Sequence, residues 1–364
     1  MVKIFKSNLN FDWVLIILPL ILSISGLATL YSITSISGNT NLISSQIIYL
    51  ILGAIIYLIF AILDYRVLRE YGKYLYVIGI ILLVVVELFG EQIFGSTRWI
   101  DLGFTQLQPS EIMKFFLLIL IAGIFSVRKQ LTVLQALMVI IFITIPVGLI
   151  LSEPDLGTTL TIIASMAGLI ALSPIPRKML IVMLFIIIAA LPLVWMNFKP
   201  YQKQRLTTFV NPYSDPLGSG YNVSQAKIAV GSGGLFGKGF SGATQSQLQF
   251  LPVAHIDFIY SGWAEATGFV GSLMTVTIFA VLVWRIFNIA FLSRDEFGYY
   301  LAIGTGFLFL FQSFVNIGMN IGLMPVTGIP LPFVSYGGTS IITMSAILGV
   351  VQSVNLRRKS IKFD

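Results

Sequence analysis

Cysteine is absent from the chain, histidine occurs once, and only 10% of the residues are charged. The first absence excludes disulfides and thiolate metal sites and leaves the redox compartment unreadable. The second excludes a histidine-rich metal centre, because His255 stands with scattered carboxylates only. The third excludes an ordinary soluble domain, which carries about 25% charged residues. What is there instead is apolar: 57% hydrophobic residues and a mean hydropathy of +0.93. The formal charge of +7 would suit a nucleic-acid binder. The basic residues, however, stand at the ends of apolar runs, which is the membrane pattern, so nucleic acid is not an expected partner.

A helix needs roughly 20 apolar residues to cross a ~30 Å hydrocarbon core. Ten such stretches are legible, at about 13–35, 44–63, 71–89, 109–127, 133–152, 157–173, 178–196, 258–284, 299–324 and 333–355. The expected fold is therefore an all-α polytopic membrane protein of ten transmembrane helices, one domain over 1–364. Runs this long exclude alternating barrel strands. The first span is too long for a cleavable signal and lacks a small-residue cleavage site. With both termini cytoplasmic, 15 of the 22 Lys and Arg residues fall inside, and five of the seven outside (Lys199, Lys203, Arg205, Lys227, Lys238) share one long loop, about 197–257 between helices 7 and 8. The short segments set the orientation and leave this loop on the extracytoplasmic side, where the positive-inside rule acts only weakly on so long a segment.

Polar residues inside this apolar frame are the functional candidates. In "QPSEIMK", Pro109 suits a first helical turn, and Glu111 and Lys114 share a helix face. A structural ion pair and a pair lining a polar cavity are equally open readings. Asp155 in "SEPDLGTTL" reads foremost as a helix cap, and Asp215 as a turn former. "VGSGGLFGKG" lacks the spacing and the Lys-Ser/Thr ending of a phosphate loop, so close backbone packing over a substrate is the better expectation. The three prolines of "GLMPVTGIPLPF" predict a broken segment lining a cavity. From spacing alone, Asp257 in "AHIDFI" is a helix cap or a reactive carboxylate, and His255 an interfacial residue or part of that site.

Together, "STRWIDLG", "QPSEIMK", "PDLGTTL", "YQKQRLTTFVNPYSDPLGSGYNVSQAKIAVGSGGLFGKG", "TQSQLQFLPVAHIDFI" and "GMNIGLMPVTGIPLPFVSYGG" resemble the SEDS family of cell-wall polymerases, over essentially the whole chain and in order. The wording is closer to its elongation branch, which serves rod shape, than to its division branch. The resemblance implies a ten-span peptidoglycan glycosyltransferase of the bacterial cytoplasmic membrane. Such an enzyme joins lipid II to a nascent glycan strand alongside a class B penicillin-binding protein and other elongation proteins. It places the family's essential aspartate on Asp257, and its Glu, Lys, Trp and second Asp on Glu111, Lys114, Trp99 and Asp155. Arg98, Arg205, Gln245 and His255 join these as expected substrate-binding or cavity-lining residues. Positive charge for a diphosphate would come from Lys114, Arg98, Arg205 or a divalent cation such as Mg or Mn. Two departures stand out: Val253 and Ile256 replace a usual Glu and Thr, and Ala266 replaces the second of two glutamates, leaving Glu265. A lipid II flippase is the competing expectation.

Overall fold

The computed structural model describes residues 11–35, 41–93, 96–101, 103, 106–197, 200–211, 219–248, 250 and 255–358. Val253 and Asp215 lie outside the described residues. A helix stands at each stretch expected to span: α1 (Val14–Thr34), α2 (Asn41–Ile62), α3 (Tyr65–Phe89), α4 (Pro109–Ser126), α5 (Val133–Ser152), α6 (Leu156–Ala171), α7 (Arg177–Asn197), α11 (Ile259–Phe291), α12 (Glu296–Asn320) and α13 (Gly338–Leu356). Eight of them are long and apolar enough to cross a membrane, and α6 is a shorter apolar helix. Their ends follow local chemistry. Asp64 accepts from Arg66 N to start α3. Thr132 and Gln135 form a capping box for α5. Pro109 opens α4, where its missing N–H costs nothing.

The core lies around α4, α12 and α13. Of their apolar windows 72%, 72% and 83% are buried, against 17% for α2. The outer helices present Ile51, Ile55, Leu58, Ile59 and their like outward, as lipid contact requires. α13 packs along α2 and against α12, while α11 lies against α12 and α1.

Two expectations are corrected. The fold is mostly helical, not all-α: β1 (Glu91–Ile93), β2 (Ser96–Asp101) and β3 (Gln106–Leu107) form a small antiparallel sheet in the order β1-β2-β3 between α3 and α4. Strands this short, in a polar connection, carry too few alternating residues to stand out from a loop. The stretch 197–257 is not one long loop either. It holds α8 (Pro200–Val210), α9 (Ser219–Ser232) and the short α10 (Thr244–Gln247).

The glycine-rich stretch packs backbone to backbone as expected, but against a helix. α11 is broken at Gly268 (φ 69°, ψ −161°), a conformation essentially confined to glycine. The loop repairs the break: Lys238 N donates to Glu265 O at 3.0 Å and Gly239 N to Ala266 O at 2.9 Å. In return, Phe269 N donates to Gly234 O at 2.8 Å and Val270 N to Leu235 O at 3.1 Å. A Cβ on Gly237 (φ 80°) would stand 2.2 Å from Ala266 O, so any larger residue would push the two backbones apart.

Candidate active site

Asp257 lies in the turn just before α11, and its backbone is pinned from three sides. Ser335 Oγ donates to Ile256 O at 2.6 Å. Asn316 Nδ2 and Asn320 Nδ2 each donate to Asp257 O at 3.1 Å. Tyr336 N donates to His255 O at 2.9 Å. The two asparagines, four apart on one face of α12, are themselves tied together at 2.8 Å. The carboxylate is treated differently: among the described residues nothing donates a hydrogen bond to it. Its surroundings act through charge. Burial pushes its pKa up to about 6, Arg205 and Arg98 pull it down, and Asp155 pushes it up again. An acid held on a fixed backbone, unbonded, and titrating near neutrality is ready to take a proton.

The two arginines come from distant elements. Arg98 is carried by β2, and its guanidinium is held by the turn between α5 and α6: Nε donates to Glu153 O at 3.2 Å, Nη2 donates to Pro154 O, and Nη1 stands 3.8 Å from Asp155 Oδ1. Arg205, on α8, donates to Thr327 O at 3.0 Å. Thr327 belongs to the proline-broken segment between α12 and α13. That segment is irregular as expected, with Thr327, Ile329 and Leu331 buried. A Cβ on Gly328 would come 3.7 Å from Asp257 Oδ2, so bare backbone faces the acid there. Both guanidinium groups are thus aimed by carbonyl oxygens, and Arg98 also reaches the Asp155 carboxylate at 3.8 Å.

Asp155 does cap α6, accepting from Thr158 N at 3.0 Å and Thr158 Oγ1 at 2.8 Å. It also accepts from Gln108 Nε2 at 3.0 Å. Lys114 Nζ and Glu111 Oε1 pair at 2.6 Å, both side chains almost fully buried. The pair is interior, and the neighbouring Ser110 Oγ is 3.5 Å from Asp155 Oδ2. The His255 ring packs edge-on against Tyr336 at 5.8 Å, and burial lowers its pKa, which favours the neutral ring. Trp99 follows Arg98 on β2 and so points to the opposite face of the strand.

Gln245 is tied by its backbone to Glu265. Its backbone N–H donates to Glu265 Oε1 at 3.0 Å, as Ser246 N and Oγ donate to Oε2 at 3.0 and 2.8 Å. Glu265, fully buried, therefore braces α10 against α11, with Lys238 Nζ at 3.4 Å. Among the described residues no group of three or more His, Asp or Glu side chains could hold a metal ion. Asp155 has its oxygens occupied by Thr158 and Gln108, so the donors do not suit a divalent cation.

Four residues escape the sequence reading. Asn316 and Asn320 were detectable as a polar pair at helical spacing within an apolar span. Ser335 carried no signal. Glu153, 1% exposed, has both carboxylate oxygens buried without a hydrogen-bond partner.

A bundle of apolar helices that keeps an unbonded acid at one end, between two backbone-held arginines, has the architecture of a membrane enzyme. Residues 7–360 match the model of the FtsW, RodA and SpoVE cell cycle proteins, the SEDS family, and the chain belongs to it. The peptidoglycan glycosyltransferase MrdB of Escherichia coli K12 is 36% identical over 98% of this chain and 96% of its own. A probable peptidoglycan glycosyltransferase FtsW of Thiomicrospira cyclica is 35% identical, over 81% of this chain and 77% of its own. Among solved structures, a peptidoglycan synthase complex that coordinates polymerization and crosslinking contains a chain similar with a TM-score of 0.81 and 30% identity, covering 96% of this chain and 98% of that one. The rod shape determining protein RodA of Thermus thermophilus matches with a TM-score of 0.73 and 29% identity, over 97% and 99%.

Proposed function

We propose that this chain polymerises lipid II into glycan strands during cell elongation, with Asp257 as the general base. Its relatives are named peptidoglycan glycosyltransferases, and the chain is an enzyme of that class. In the proposed step, Asp257 removes the proton from the 4-hydroxyl of the acceptor sugar. The oxygen attacks the anomeric carbon of the donor, a glycosidic bond forms, and the bond to the lipid diphosphate breaks. Undecaprenyl diphosphate leaves as an anion and needs no proton, so one carboxylate suffices where a glycosidase uses two. Arg98 and Arg205 supply positive charge to the diphosphate in a partly desolvated setting, where it counts most.

The single observation that carries this reading is the unbonded Asp257 carboxylate, raised to about 6, between those two guanidinium groups. It fits the membrane arrangement we propose: ten spans in the cytoplasmic membrane, both termini cytoplasmic, and Asp257 at the outer surface where sugar headgroups lie. A lipid transporter is less favoured. Alternating access calls for a site near mid-membrane reachable from both faces, whereas these groups gather at one end. The likeness to a chain of a peptidoglycan synthase complex supports a class B penicillin-binding protein as partner.

The test is purified protein with labelled lipid II while transpeptidation is blocked. Glycan strands are expected, and more of them once the partner is added. Absence of strands under both conditions, from folded protein, would overturn the reading.

A further inference from the structure

A cavity opens at the opposite end of the bundle from Asp257. It measures about 690 Å³, and the proposed polymerase mechanism makes no use of it. Arg69, Ser126, Phe291, Ser293, Arg294 and Tyr299 line it, where the end of α4 and the α11–α12 turn meet the start of α3. That volume is within the range of small-ligand pockets, roughly 300–1,000 Å³.

Its charges are unevenly matched. Asp295, on the wall, is already engaged: it accepts from Arg66 Nε at 2.9 Å, Tyr65 Oη at 2.7 Å and Gly298 N at 2.9 Å. Glu296 is the other acid of the wall. Among the described residues, neither Arg69 nor Arg294 has an ion pair or a hydrogen bond. The Ser126 and Ser293 hydroxyls donate to Gly123 O and Asp295 O, so the guanidinium groups are the free donors. The rest of the wall is aromatic: Phe291 stacks at a tilt on Tyr299 at 6.0 Å, and Tyr299 meets Tyr300 edge-on at 5.1 Å. Phe291 and Leu172 are exposed at the rim, continuous with the surface that the helices turn toward lipid.

We propose that this cavity binds the phosphodiester headgroup of an anionic phospholipid. The two guanidinium groups would hold the phosphate and the aromatic rim the glycerol and upper acyl carbons. Arginine suits a phosphate oxygen pair, and basic pockets between membrane helices take anionic headgroups. The exposed apolar rim favours a lipid over a soluble peptide, which would leave Phe291 and Leu172 uncovered. The proposal is independent of which reaction the far end performs.

The experiment is native mass spectrometry of the full-length protein, delipidated in detergent and titrated with phosphatidylglycerol or phosphatidylcholine. Wild type should retain phosphatidylglycerol at least about tenfold more than phosphatidylcholine. Arg69→Gln with Arg294→Gln should remove that preference, while the Arg69→Lys, Arg294→Lys pair, which keeps the charge, should retain most of it. Equal retention of phosphatidylglycerol by the glutamine pair would overturn the site. So would its displacement by millimolar inorganic phosphate, which would mark a site for the free anion. Loss of the preference in both pairs, with unchanged melting, would show that charge is not what holds the lipid.

Discussion

Two aspartates each stand just ahead of a long apolar helix, Asp257 before α11 and Asp295 before α12, at opposite ends of the bundle. Burial acts against ionisation of both. Around Asp295 that pressure is more than answered by the hydrogen bonds from Gly298 N, Tyr65 and Arg66, so its pKa falls below the usual value. Around Asp257 no donor among the described residues answers it, and the pKa rises. Other arginines at the Asp295 end are paired as well: Arg357 Nε lies 3.5 Å from Asp64, and Arg285 Nε lies 2.5 Å from Asp12. At the Asp257 end, Arg98 and Arg205 are held by carbonyls, and carboxylate oxygens of Glu153 and Glu111 are buried with no partner. The lesson is one of assignment: the donors around Asp295 are spent on fixing the start of α12, while among the described residues the Asp257 carboxylate is left without a hydrogen-bond donor, as a reaction site requires.

The sharpest way to break this contrast is Asp257→Asn. Asparagine keeps the shape, and the backbone carbonyl still accepts from Asn316 and Asn320. Only the proton acceptor is lost. Polymerisation should fall by roughly two to four orders of magnitude, while expression, melting and partner binding stay as in wild type. In the wild-type enzyme the base form dominates above its pKa of about 6. The rate should therefore drop about tenfold per unit below that pH and level off above it. A near-normal rate from the asparagine variant would make Asp257 as structural as Asp295.

Arg205→Gln comes next. It removes a positive charge that lowers the Asp257 pKa and that would stabilise the departing diphosphate. The maximal rate should fall roughly 10²-fold, and the acid limb of the pH profile should move to higher pH. A fall in rate with an unmoved limb would separate Arg205 from the aspartate and weaken the two-arginine site.

Much of this was readable beforehand, for definite reasons. The spans are written by the hydrophobic effect, residue by residue, and each predicted stretch coincides with a helix. Glu111 and Lys114 pair because three residues along a helix bring side chains together, a purely local rule. The site's electrostatics follow no local rule. Arg98 meets Glu153 O and Pro154 O from 55 and 56 residues away in sequence, and Arg205 meets Thr327 from 122 away. Gln245 entered the site reading by motif, yet its position is fixed by Glu265, which only the folding of the 197–257 stretch brings close. The break at Gly268 was hidden because α11 reads as one continuous apolar run on either side of it.

Glu265→Gln tests the contrast from the structural side. Its carboxylate accepts two backbone N–H groups and a hydroxyl in a fully buried setting. An amide would turn N–H donors toward one of those groups. We expect a loss of about 2 kcal/mol of stability, seen as a lower melting temperature in detergent, with residual polymerase activity at low temperature. Unchanged melting with lost activity would move Glu265 into the reaction site.

The smallest effect on rate is expected for Glu153→Gln, although Glu153 looks the more anomalous group. Burial first, then the charges of Asp155 and Glu87, raise its pKa to about 8, with Arg98 pulling the other way. At neutral pH it is therefore a neutral acid in the fold, and glutamine copies both its shape and its charge. Arg98 is held by the backbone oxygen of residue 153, which the substitution leaves in place. Polymerisation should stay within about twofold of wild type. The signature lies in stability. Between its ordinary pKa of 4.5 and about 8 the folded protein keeps a proton on Glu153 that the unfolded chain releases. The folded state thus binds more protons than the unfolded state, and stability must fall as pH rises across that window. Wild-type melting should decline between about pH 5 and about pH 8 relative to the glutamine variant, whose side chain cannot titrate. Parallel melting curves with a large loss of activity would show that Glu153 works as an anion, and the Asp257 end of the molecule would then hold two reactive carboxylates.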